Sequence, residues 1–193
     1  IKEVTEFLKN KTGNILDLGC GSGRNFVKID GTIYGVDFSA DMIKFAKESA
    51  EKKEIKVKLI KTNTINLPFN DDFFDSVIYI AALHCIPKSE DRKKSLKELL
   101  RVLKPNAEVL ITVWSKKHPK LIKHPKDTTI LWKTKTKEQC APINSKNKSM
   151  RVVHRYYYLY DKDELGGLLK SVGFEIIKSW EDKNINVIVR KPI

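Results

Sequence analysis

Asp17-x-Gly19-x-Gly21-x-Gly23 sets a carboxylate just ahead of three glycines at alternate positions, directly after the apolar pair Ile15-Leu16. Glycine has no Cβ, so such a loop can turn sharply and let a ligand lie against its backbone. The spacing matches neither the phosphate-cradling P-loop nor G-x-G-x-x-G, and no Lys-Ser or Lys-Thr follows to hold a phosphate. An acidic residue before the glycines suits a cationic ligand instead. A second carboxylate, Asp37, ends the apolar run Thr32–Val36. From there it can accept both hydroxyls of a ribose, with charged hydrogen bonds contributing about 1.5–3 kcal/mol each where water is excluded.

Three more groups could do chemistry: the segment Asn63-Thr64-Ile65-Asn66-Leu67-Pro68-Phe69, the run Tyr79-Ile80-Ala81-Ala82-Leu83-His84, and Arg155-Tyr156-Tyr157-Tyr158. Alternation in an extended chain sends Tyr156 and Tyr158 to one face. Aromatic faces stack single-stranded bases, and a tyrosine-rich edge strand packing on a sheet is the structural alternative.

The elements that must hold these groups follow from periodicity. Val4, Phe7 and Leu8 have helical spacing, so residues 1–10 read as a covering helix. Strand one runs over about 14–18, and a helix is expected from Arg24 to Ile29. Strand two ends at Asp37, Ser39 caps a helix through about Lys53, and Ile55–Ile60 is a strand toward an edge. Phe74–Ile80 is a buried strand. A helix beginning at Ser89 carries Leu96, Leu99, Leu100 and Leu103 and stops before Pro105, and Ala107–Val113 is strand five. Residues 116 to about 150 lose all periodicity and read as a basic, flexible insertion. Asp161–Val172 is a helix closed by Gly173, and 174–180 and 184–189 form a final strand pair. Alternating strands and helices of these lengths mean an α/β fold. The expectation is a doubly wound, Rossmann-like seven-stranded sheet, mostly parallel with an antiparallel last strand, in a single domain over 1–193.

The chain of 193 residues has a formal charge of +13. Between Trp114 and Arg155 lie twelve Lys and Arg against two acidic residues, so the excess is concentrated beside strands four and five. A mobile basic segment there suits a phosphate backbone. Three cysteines, in no metal-ligand spacing, favour a reduced intracellular setting and no metal site. No apolar run approaches a membrane span.

The motif Asp17-x-Gly19-x-Gly21-x-Gly23 resembles motif I of the class I S-adenosylmethionine-dependent methyltransferases. The resemblance implies S-adenosyl-L-methionine as cofactor. It also implies a binding set of Asp17, Gly19, Cys20, Gly21, Gly23, Asp37, Phe38, Asn63, Thr64, Ile80 and Ala81. Asn63 stands where the family's D-x-x-x-L-P-F segment has an acid that accepts the adenine amine, and its carbonyl can serve without the charge. Leu103-Lys104-Pro105-Asn106 is similar to the family's L-K/R-P-G-G turn, with Asn106 replacing a glycine.

Ile80–His84, Ser89-x-x-Arg92, Leu110–Trp114 and Arg155-Tyr156-Tyr157 look like one subfamily, the tRNA wobble-uridine methyltransferases that esterify 5-carboxymethyluridine. That likeness implies a cytoplasmic enzyme acting on the tRNA anticodon loop without a membrane. It also implies a small zinc-binding activator protein paired along the strand-three edge. Cys85 replaces the subfamily's second histidine. A carboxylate acceptor is already a nucleophile, so the site should offer it cations or donors rather than a base: Arg155 and His84, with Tyr156 as stacking platform. The rival readings are a small-molecule enzyme of the quinone or sterol type and a non-catalytic RNA-binding scaffold.

Overall fold

In a computed structural model, residues 2–135 and 150–193 are described. The elements in order are α1 (Lys2–Leu8), β1 (Thr12–Leu18), β2 (Asp30–Asp37), α2 (Ala40–Lys52), β3 (Val57–Lys61) and β4 (Phe74–Ile80). A 3-10 turn (Leu83–Cys85) follows, then α3 (Ser89–Val102), β5 (Leu103–Trp114), β6 (Asp127–Lys135), β7 (Met150–Tyr158), α4 (Lys162–Val172), β8 (Glu175–Glu181) and β9 (Asn184–Arg190). The seven-stranded sheet has the order β3-β2-β1-β4-β5-β9-β8. β1 to β5 pair in parallel, and β9, the last strand, lies antiparallel between β5 and β8. The expected sheet is the one observed, and the lysine-studded β3 is its edge.

Strand alternation sorts the side chains onto two faces. Ile15, Ile78, Ile80 and Leu110 pack under Val4 and Leu8 of α1. Ile33 meets Ala46 and Ala50 of α2 on the same side. Leu16, Leu18, Val77, Tyr79 and Ile111 point the other way, against Leu96 and Leu99 of α3 and Leu165 and Leu169 of α4. Local signals fix the helix ends. The Ser39 side chain accepts from the Met42 N–H at 3.3 Å, and Gly173 closes α4 in the left-handed region with φ 112°. Asn106 adopts φ 64°, as its place in a glycine position requires.

Two expectations are corrected. Arg24–Ile29 is not a helix: residues 21–25 are turns and 26–29 extend into β2. Thr12 pairs with Asp30, so the chain must travel back along the seven residues of β1, about 23 Å at ~3.3 Å per residue. The connection closes in turns, with the Gly23 N–H donating to the Cys20 carbonyl at 3.0 Å and the Phe26 N–H to the Gly23 carbonyl at 3.3 Å, and then runs straight into β2. Second, residues 116–150 are not uniformly irregular. Residues 116–126 form hydrogen-bonded turns around buried Leu121, and β6 pairs antiparallel with β7 in a two-stranded ribbon. The remainder of that expectation, 136–149 with Cys140, lies outside the described residues.

Candidate active site

The three glycines of the loop after β1 take φ values of 72°, 53° and 72°, the region where only glycine is unstrained. A Cβ on Gly19 would stand 2.5 Å from the Ala82 Cβ, and one on Gly23 would stand 2.4 Å from the Phe26 ring. At Gly21 nothing lies within 4 Å, so this turn of the loop presents open backbone to a ligand. The Cys20 N–H donates to the Val36 carbonyl at 2.9 Å and anchors the loop to β2. Asp37 is buried, and its two oxygens accept from the Gly21 and Ser39 N–H groups, each at 2.9 Å. It therefore fixes the loop, with lone pairs left over for a ribose.

With no helix after the loop, its carbonyls find another partner. The Lys53 ammonium at the end of α2 donates to the Gly23, Arg24 and Phe26 carbonyls at 3.1, 3.2 and 3.2 Å. The Ser49 hydroxyl adds a bond to Gly23 at 3.3 Å. Nothing in the sequence marks Lys53 for this task; it looks like one more lysine on a helix terminus.

Asp17 is 1% exposed, and neither carboxylate oxygen forms a hydrogen bond. Burial raises it to about 7, against the pull of the neighbouring Asn25 amide and with Asp37's like charge adding to the rise. The Asn25 side-chain oxygen is also buried and unpartnered. Two orphaned acceptors beneath an open glycine turn fit a ligand that brings positive charge and N–H donors, as the ammonium and sulfonium of S-adenosylmethionine do. Cys20 is buried, and its thiol is pushed far up by that burial, so it packs rather than reacts.

Further cofactor candidates lie at the strand ends. Ile80 and Ala81 line a cleft of about 280 Å³ at the carboxyl ends of β4 and β5, where open α/β sheets place ligands. Ala81 is held at φ 55°, its N–H bonded to the Thr112 carbonyl at 2.8 Å. Asn63 is exposed, and its side-chain oxygen accepts from the Ile65 N–H at 3.3 Å, so one lone pair remains for an adenine amine. Thr64 is half-buried, and Phe38 is 76% exposed beside Asp37. The Leu67-Pro68-Phe69 segment is pinned from α3. Glu98 accepts from the Leu67 N–H at 2.8 Å, and Arg101 donates to the Phe69 and Leu67 carbonyls at 2.8 and 3.0 Å.

On the acceptor side, His84 is 1% exposed, and burial lowers it to about 3. Its Nδ1 accepts from the Trp114 N–H at 3.1 Å, which leaves the ring proton on Nε2. His84 is thus a neutral donor, never a cation at ordinary pH. Trp114 stacks on Tyr157 with centroids 4.3 Å apart and on His84 at 5.3 Å. Arg155 is exposed, close enough to Cys85, also exposed, for its charge to favour the thiolate, against the desolvation by neighbouring atoms that raises the thiol. Tyr156 is half-buried, its hydroxyl donating to the Pro87 carbonyl at 3.2 Å. Tyr156 and Tyr158 share one face as alternation requires, and both meet buried Arg92. Its guanidinium lies 3.5 Å from the Tyr156 hydroxyl and 4.1 Å above the Tyr158 ring. Arg92 also donates to the Ile86 and Pro87 carbonyls at 2.9 and 2.8 Å, which latches β7 to the turn carrying His84. The latch was missed because an arginine in the first turn of a helix reads as solvated.

Comparison with known proteins agrees with this geometry. A family model described as "Methyltransferase domain" matches residues 16–111. An Arabidopsis thaliana tRNA (carboxymethyluridine(34)-5-O)-methyltransferase is 34% identical over 117 residues, 58% of this chain and 27% of the relative. A Nostoc punctiforme 2-phytyl-1,4-naphtoquinone methyltransferase is 37% identical over 110 residues, 52% of this chain and 46% of the relative. The chain therefore spans less than half the length of either. A Methanosarcina mazei S-adenosylmethionine-dependent methyltransferase shares the fold with a TM-score of 0.73 at 22% identity, over 100% of this chain and 98% of that one. A Haloferax volcanii methyltransferase crystallised with a methyltransferase activator gives a TM-score of 0.67 at 16% identity, over 100% and 88%. Residues 16–111 are a methyltransferase domain with the fold of S-adenosylmethionine-dependent methyltransferases, and S-adenosylmethionine is its cofactor. Among the described residues, no helix is long and apolar enough to cross a membrane.

Proposed function

We propose that the chain transfers the methyl group to the carboxylate of 5-carboxymethyluridine at the tRNA wobble position. The observation that carries this reading is the protonic character of the acceptor side. His84, at about 3, is a poor base, and Arg155 is a cation. A hydroxyl, thiol or amine would need deprotonation, whereas a carboxylate needs only alignment and charge balance. The cofactor supplies an electrophilic methyl on a sulfonium. The protein's tasks are then to hold that group over Ile80 and Ala81, to offer Nε2–H and guanidinium donors to the acid, and to keep water out with the Trp114–Tyr157 stack.

The basic run from Trp114 to Arg155 supports a polyanionic carrier of the acid, as does the likeness to the Arabidopsis enzyme. The quinone relative shares a stretch of similar length, so it does not favour a lipid acceptor over RNA. A small zinc-binding activator along the β3 edge belongs to the same reading, which is supported by a Haloferax protein of this fold in complex with a methyltransferase activator. The test uses anticodon stem-loops carrying either 5-carboxymethyluridine or uridine at the wobble position, assayed with labelled cofactor and the activator. Methyl transfer confined to the first, with binding that weakens at a log–log salt slope of about −0.7 to −0.9 per phosphate contact, is expected. Transfer to both, or a flat slope, overturns it.

A further inference from the structure

The strand β9 carries two asparagines, Asn184 and Asn186, on the face opposite Ile185 and Val187, which are buried in the core. Both line the cleft at the ends of β4 and β5. Their hydrogen-bonding states differ. The Asn186 oxygen accepts from the Thr112 hydroxyl at 2.9 Å, so it has a partner within the chain. The Asn184 side-chain oxygen is buried with no partner. A buried acceptor left unpaired costs about 1–3 kcal/mol, so such a group calls for a partner from outside the chain, a water or a ligand.

The backbone around Asn184 is fixed, so the orphan is not a floppy surface amide. Its N–H donates to the Asp182 carboxylate at 2.7 Å, and its carbonyl accepts from the Asp182 N–H at 2.9 Å. Directly across the ladder from Asn184 stands Trp114, an indole that also lines the cleft. β9 lies three strands from β1 in the sheet, about 14 Å at ~4.8 Å per strand. That puts Asn184 on the acceptor side, away from Asp17 and the glycine loop. The cleft, about 280 Å³, also holds Ile80 and Ala81, over which the methyl group would lie, and beside them it offers a base an aromatic residue and a carboxamide. These are the two features with which pockets read an extruded base.

We infer that Asn184 is a specificity residue that reads the Watson–Crick edge of the acceptor pyrimidine. The base N3–H donates to the Asn184 oxygen, the Asn184 amide donates to the adjacent base carbonyl, and the ring lies along Trp114. This rests on the proposed RNA acceptor.

The test pairs Asn184→Ala with removal of the base donor. Two short anticodon stem-loops carry 5-carboxymethyluridine or its N3-methylated counterpart at the wobble position. Binding to the protein with S-adenosylhomocysteine is followed by fluorescence anisotropy. The wild type should prefer the unmethylated base about tenfold, and Asn184→Ala should lose that preference while its calorimetric affinity for S-adenosylmethionine stays unchanged. Equal binding of the two RNAs by the wild type, preference retained in the variant, or a matched loss of cofactor affinity each overturns the inference. Absence of ester formation by the wild type would instead sink the proposed function, which is scored separately by nucleoside analysis.

Discussion

Replacing Asp17 with asparagine should stabilise the protein and weaken its hold on S-adenosylmethionine at the same time. Asp17 is buried without a formed hydrogen bond and is raised from 3.8 to about 7. For an acid with a raised folded-state value, the folded chain binds the extra proton. Stability is therefore greatest below pH ~4 and falls as pH rises to ~7. About three units at 1.36 kcal/mol each put the ionised carboxylate's cost on the order of 4 kcal/mol at pH 8. Asparagine removes that charge but buries an incompletely paired amide at about 1–3 kcal/mol, which leaves a net gain of about 2 kcal/mol. At ~2–4 °C per kcal/mol for a chain of this size, Tm should rise about 4–8 °C at pH 8, and the gain should vanish toward pH 4. Calorimetric titration should show Kd for the cofactor weakened roughly 10- to 150-fold, the equivalent of one charged hydrogen bond. A gain that is independent of pH, no gain at pH 8, or unchanged cofactor affinity would refute the reasoning.

Gly19→Ala joins a left-handed φ of 72° to a 2.5 Å clash with Ala82. It should abolish detectable cofactor binding by calorimetry while circular dichroism still reports the sheet. Lys53→Met should raise the KM for S-adenosylmethionine several-fold with little change in the KM for tRNA, because its three bonds order the glycine loop alone; Lys53→Arg should restore most of the loss. Since His84 titrates near 3, the kcat profile between pH 6 and 8 should carry no inflection that disappears in His84→Gln. Arg92→Lys should keep cofactor affinity and lower kcat/KM for tRNA about tenfold, since the latch between β7 and the His84 turn loses its paired carbonyl bonds.

What the sequence reveals here depends on how local the cause is. Ser39, Gly173 and Asn106 act on their own backbones, so helix ends and the β5 approach were readable residue by residue. The sheet order followed from alternating periodicities, Asp17 and the glycines fell in register because one strand-to-loop segment carries their spacing, and Asp37 because it ends the adjacent strand. The missing helix at Arg24–Ile29 was not readable from its residues, which tolerate a helix. Its place is taken by turns whose carbonyls are bound from a distant helix, by Ser49 and Lys53. Lys53 takes over because the loop's carbonyls are then free, and that is visible only in three dimensions. The same holds for Asn184 and Asn186, identical in type and face, of which only the neighbour Thr112 decides which has a partner. β6 was hidden because its partner β7 lies beyond a long intervening segment, and a two-stranded ribbon needs both halves to declare itself.

The most direct measurement is methyl transfer from labelled S-adenosylmethionine to bulk tRNA, with the activator supplied, followed by nucleoside analysis and alkaline treatment. An alkali-labile methyl ester on 5-carboxymethyluridine at the wobble position is the predicted result. Label found instead on a ring atom or ribose of the RNA, or only in a parallel incubation with quinone lipids, would contradict it.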